Sequence, residues 1–77
     1  MPHISVKMLK GRSEEQKKSL AEALEKALSE NLGCDQKWIT VAIEDYDGKE
    51  WQDVFKREVE ENKHVYKKPQ YDPKVLL

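Results

Sequence analysis

Hydrophobic and polar positions alternate at the start of this chain: over His3–Leu9, Ile4, Val6 and Met8 fall on one face and Ser5 and Lys7 on the other. A period of two predicts a strand covered on one side, and Gly11 ends it. The period then changes. Leu20, Ala23, Leu24, Ala27, Leu28 and Leu32 recur three and four apart, which is the stripe of an amphipathic helix. Ser13-Glu14-Glu15-Gln16 marks its start as a capping box, with the acidic pair at the positive end of the dipole, and Gly33 is a natural C-terminal cap. Trp38 to Glu44 has the β-branched content of a second strand, with Ile39, Val41 and Ile43 on one face against Thr40 and Glu44.

Beyond Asp45-Tyr46-Asp47-Gly48 a second helix is expected over about 48–62, capped by Asp47 with Glu50 three residues on. Its apolar side is Trp51, Val54, Phe55 and Val59. Residues 63–77, with Lys67-Lys68-Pro69 and Asp72-Pro73, have no periodicity and read as an extended tail suited to lying on a neighbouring surface.

Strand, long helix, strand is a βαβ unit, placed at about 2–45, so the fold class is α/β (α+β) in a single domain. The two strands should run parallel with a right-handed crossover. Two strands and one helix leave bare sheet edges, which predicts a homodimer whose sheet continues across both subunits, a hexamer being the other assembly considered.

Composition narrows the function. At 77 residues the chain is near the size where a single core is marginal. Cys34 is the only cysteine, which excludes an internal disulfide, and His3 and His64 are far apart, so no metal-ligand spacing appears. Self-association is the remaining route to further burial. Fourteen basic and fifteen acidic side chains are interspersed, without the footprint of a nucleic-acid partner or a membrane-binding patch. No apolar run reaches membrane-spanning length and the start lacks a signal-peptide core, so a cytoplasmic location is expected.

The chemistry-bearing feature is Met1-Pro2-His3-Ile4. Removal of Met1 would turn the Pro2 nitrogen from an inert tertiary amide into a secondary amine. An α-amino group titrates closer to neutrality than any lysine, so such a nitrogen can serve as a general base. A Met-Pro start also occurs by chance, with the proline only stiffening the approach to the strand.

Pro2 at the head of strand one, Gly11-Arg12-Ser13-Glu14-Glu15-Gln16-Lys17 after it, the capped helix and the second strand together resemble the 4-oxalocrotonate tautomerase superfamily over about residues 2 to 51. The chain length, Trp51 and the second helix look more like the short dimeric subgroup acting on phenylenolpyruvate than like the hexameric enzymes. The resemblance implies a cofactor-free keto-enol tautomerase acting on enols of 2-keto acids such as phenylpyruvate. Pro2 would be the base and Arg12 would hold the substrate carboxylate, in keeping with the bidentate geometry of a guanidinium. Because Arg12 lies at the far end of the first strand, it would serve a partner subunit's pocket.

The hexameric relatives carry a second-strand arginine that polarises the substrate; here that position falls at Thr40, which can offer only a neutral hydrogen bond. Diacid substrates therefore fit less well than a monoacid with an aromatic or short apolar tail. Trp51 falls where the relatives place an aromatic wall, and is equally suited to anchoring the second helix.

His3, on the opposite strand face from Pro2, is assigned a surface role, as is His64, and Cys34 has no adjacent histidine to activate it. The competing readings are a non-catalytic assembly or binding protein on the same scaffold, favoured by Thr40, and a hydratase or decarboxylase of the same superfamily. The last would need an acidic group such as Glu44 or Asp45 to activate water.

Overall fold

In the computed structural model, which describes residues 1–77, the order is β1 (His3–Leu9), α1 (Glu14–Leu32), a 3-10 turn (Gln36–Trp38), β2 (Thr40–Tyr46), α2 (Gly48–Phe55), a π turn (Lys56–Glu60) and a second 3-10 turn (Pro73–Leu76). β1 and β2 form a two-stranded sheet. Thr40 N donates to the Pro2 carbonyl at 3.2 Å and Lys10 N to the Tyr46 carbonyl at 2.9 Å, so the pairing advances in the same direction on both strands, which run parallel. The chain divides into two compact units, one of Met1–Lys7 with Gly11–Glu44, the other of Met8–Lys10 with Asp45–Leu77.

In the first unit α1 begins where the capping box places it. Gln16 N donates to Ser13 Oγ at 3.1 Å and Ser13 N to Gln16 Oε1 at 2.9 Å, which satisfies two amides that have no partner inside the helix. At the other end Gly33 takes the left-handed conformation at φ 68°, and its N–H reaches the Ser29 carbonyl at 2.9 Å. The leucine stripe is real but uncovered: no residue of α1 is buried, Leu24 and Leu28 are half-buried, and Leu32 is 66% exposed. Ile39 is the only buried apolar side chain of this unit.

The second strand starts two residues later than its composition suggests. Asp35 Oδ1 accepts from Lys37 N at 2.9 Å and winds Gln36–Trp38 into a 3-10 turn, so Trp38 precedes the strand and lies 46% exposed. A short-range side-chain cap here outcompetes the β-propensity of Trp38.

In the second unit Asp47 and Glu50 form the second capping box: Glu50 N to Asp47 Oδ1 at 2.7 Å and Asp47 N to Glu50 Oε1 at 2.9 Å. The Glu50 amide hydrogen bond is the main cause holding the Asp47 carboxyl below its ordinary pKa, with Lys10 adding charge attraction. Val54 and Phe55 are buried, Trp51 and Val59 half-buried, so the apolar side of α2 is the one read from the pattern. The helix widens into a π turn and stops at Glu60.

The expectation of an extended tail over 63–77 needs correction. Pro73–Leu76 winds into a 3-10 turn, with Asp72 Oδ1 accepting from Lys74 N at 2.9 Å, and this turn packs on α2 of its own chain. Pro73 supplies a preset φ at the start of the turn, a signal that a search for periodicity does not register. No helix is long and apolar enough to cross a membrane.

Candidate active site

Pro2 stands immediately before β1, half-buried, with Met1 89% exposed in front of it. Its carbonyl accepts from Thr40 N at 3.2 Å, which ties the start of β1 to the start of β2. Thr40 is exposed, and its Oγ1 lies 2.6 Å from His3 Nδ1. The structure therefore gathers Pro2, His3 and Thr40 at one end of the sheet. Of these, His3 is exposed, as its assigned surface role expects, and it also pairs with Thr40. The parallel register sets His3 against Thr40, and register cannot be read from either strand alone.

Which of the two donates is set by the imidazole tautomer: with the proton on Nδ1, His3 donates and the Thr40 hydroxyl proton is left to be donated outward. In that tautomer the pair offers one uncharged donor at this end of the sheet.

Arg12 sits at the other end of β1, in the turn between Gly11 and the α1 cap. Gly11 has φ 128°, a conformation that side-chain-bearing residues rarely adopt, and it turns the chain from the strand toward Ser13. The Arg12 side chain is exposed and makes no hydrogen bond or ion pair within its own chain. The seven-residue strand between Pro2 and Arg12 is about 23 Å long, far longer than a small enol acid. One chain does not bring these two residues onto one small molecule.

Trp51 belongs to the second unit, in the first turns of α2, where its Nε1 donates to the Tyr71 hydroxyl at 3.0 Å. A groove of about 770 Å³ in that unit is lined by Gln52, Phe55, Lys56, Tyr71, Asp72 and Lys74 among others, and contains none of Pro2, Arg12, Thr40 or Trp51. Cys34 is a half-buried free thiol whose backbone carbonyl accepts from Ser29 Oγ at 2.7 Å.

The family described as "Tautomerase enzyme" matches residues 2–53, and the chain belongs to it. A probable tautomerase of Bacillus cereus is 53% identical over 45 residues, covering 58% of this chain and 74% of that protein. A probable tautomerase of Xylella fastidiosa is 37% identical over 73 residues, covering 92% of this chain and 89% of its own length. The second match extends past residue 53, so it includes part of the segment beyond the family match.

Among solved structures, TomN, a 4-oxalocrotonate tautomerase homologue in the tomaymycin biosynthetic pathway, superposes with a TM-score of 0.63 at 36% identity, covering 65% of this chain and 77% of that one. The protein is accordingly an isomerase of the tautomerase type acting on a small molecule, on the 4-oxalocrotonate tautomerase fold.

Proposed function

We propose that the protein catalyses keto-enol tautomerisation of 2-keto acids with an aromatic tail, phenylpyruvate being the type, with Pro2 as general base once Met1 is removed. In the enol-to-keto direction the Pro2 nitrogen takes the proton of the 2-hydroxyl. The enolate electrons reform the carbonyl, and the prolinium returns the proton to carbon 3. The base ends as it began, and no electrons leave the substrate, so the cycle needs no cofactor.

Thr40, oriented by His3, donates to a substrate oxygen beside Pro2. Arg12 holds the carboxylate through two charge-assisted hydrogen bonds, and its charge disfavours a protonated Pro2. With a strand of this length between Arg12 and Pro2, this reading has the arginine act in a neighbouring protomer's pocket. The reading therefore includes a homodimer whose sheet continues across both subunits, to which the uncovered leucines of α1 add contact surface. Trp51 stacks on the aromatic tail. A monoacid is preferred because Thr40 offers a neutral donor where a second carboxylate would call for a cation. The cytoplasm is the setting proposed, where Cys34 stays a thiol.

The observation that carries the reading is the Pro2–Thr40 backbone clasp at one end of β1, with an unengaged guanidinium at the other. Following ketonisation of phenylenolpyruvate by its ultraviolet absorbance tests it, using protein whose free Pro2 terminus is verified by mass. Turnover above buffer is expected. A rate equal to buffer would overturn the substrate assignment.

A further inference from the structure

Four positions on one side of α2, spaced as Gly48, Trp51, Gln52 and Phe55, are all engaged by the C-terminal segment. Trp51 Nε1 donates to the Tyr71 hydroxyl at 3.0 Å. The Tyr71 ring stands edge-on to the buried Phe55, with centroids 5.5 Å apart and an interplanar angle of 66°. Gln52 Nε2 donates to the Pro73 carbonyl at 2.8 Å and to the Gly48 carbonyl at 3.0 Å. At Gly48 a Cβ would lie 1.8 Å from the Leu76 carbonyl oxygen, so the terminal turn approaches the helix more closely than any side-chain-bearing residue permits.

We infer that this C-terminal segment is a positioning clasp for Trp51, with Tyr71 the residue that sets the indole's orientation and through it the enzyme's acceptance of aromatic-tailed substrates. The inference rests on the reading of Trp51 as a wall of the substrate site. A half-buried indole with only water at its Nε1 samples more than one rotamer. Bonded to Tyr71, whose own ring is packed on Phe55, it is ordered before substrate arrives, and binding then loses less conformational entropy. Tyr71 acts on substrate only through Trp51. Its effect therefore appears in binding of substrates that have a ring to stack, and not in the proton transfer at Pro2.

The test uses the full chain with Trp38→Phe, which leaves Trp51 as the sole tryptophan. Tyr71→Phe removes the acceptor hydroxyl while keeping the ring. Gly48→Ala leaves Trp51 and Tyr71 untouched, adds a residue that helices favour, and displaces the terminal turn. Both variants are expected to make Trp51 emission more accessible to iodide. Both should raise KM for phenylenolpyruvate about fivefold, the size of one neutral hydrogen bond, with kcat held within about twofold. KM for a 2-keto acid enol lacking the ring should stay unchanged.

Unchanged quenching in both variants would overturn the clasp. So would a KM that moves equally for both substrates, or for neither while Trp51 is exposed. Pro2→Ala is read separately: if it retains full rate the base assignment falls, while quenching and the ring-dependent KM still decide the clasp.

Discussion

His3 Nδ1 and Thr40 Oγ1 lie 2.6 Å apart across the first rung of the sheet, directly beside the Thr40 N to Pro2 carbonyl bond. The backbone bond is donated by the Thr40 N–H and does not involve the side chain, so the hydroxyl can be removed without unpinning Pro2. Thr40→Val is expected to raise KM for phenylenolpyruvate about fivefold, as for one neutral donor lost, and to leave kcat nearly unchanged. Thr40→Ser should restore the wild-type value. Steady-state kinetics on the two variants decides this, and an unaltered KM in the valine form would remove Thr40 from the substrate's contacts.

Pro2→Ala leaves a primary amine on a freer backbone. The rate should fall by about 10²- to 10⁴-fold, the usual contribution of a positioned base. The circular dichroism spectrum should match wild type, since Pro2 offers the sheet only its carbonyl and alanine keeps that group. A form retaining Met1 should be at least as inactive as the alanine variant, because its Pro2 nitrogen is an amide and not a base.

Arg12→Ala should weaken substrate binding by about 10- to 100-fold, corresponding to the loss of a hydrogen-bonded charge. Arg12→Lys should recover only part of this, because an ammonium cannot make the paired bonds of a guanidinium. Mixing Arg12→Ala with Pro2→Ala protein and allowing subunits to exchange should regain activity, since a mixed dimer holds one intact Pro2 opposite one intact Arg12. No recovery in an exchanged mixture would remove Arg12 from the neighbouring protomer's pocket.

Self-association should depend on the α1 leucines. Leu28→Glu puts a charge into the half-buried stripe and should weaken the dimer at least tenfold, the lower bound for one leucine's burial at about 1.5–3 kcal/mol. Sedimentation equilibrium at several concentrations measures it, and a wild type that remains monomeric throughout would remove the dimer from the proposal.

Acid stability should carry the signature of Asp47. Its carboxyl is held below the ordinary value of 3.8, chiefly by the hydrogen bond from the Glu50 amide, so the ionised form is favoured in the folded state. A lowered folded pKa gives stability that is present above 3.8 and lost as pH falls through the folded value. Asp47→Asn keeps a capping oxygen but not the charge. The difference in denaturant midpoint between wild type and the Asp47→Asn variant should therefore shrink on acidification below 3.8 and be constant above it.

Both helix starts, the strand at His3–Leu9 and the Gly33 cap were legible in the amino-acid order, because each depends on residues within a few positions of one another; the burial alternates only as far as Val6, and Lys7 is half-buried with its neighbours. Candidate chemistry was legible for a similar reason: a Met-Pro start and an arginine just past a strand are local features. Whatever depends on partners distant along the chain had to wait for the fold. The start of β2 moved because the Asp35 cap competes with strand propensity, and His3 acquired Thr40 through a parallel register that neither strand's pattern encodes. The last segment carries no period at all. It settles on α2 because Gly48 leaves room for a carbonyl and Trp51 presents an N–H that Tyr71, twenty positions on, can accept. Local capping and periodicity act over a few bonds and can be read in order, whereas closure of long loops onto specific donors is decided only when the packed chain brings them together.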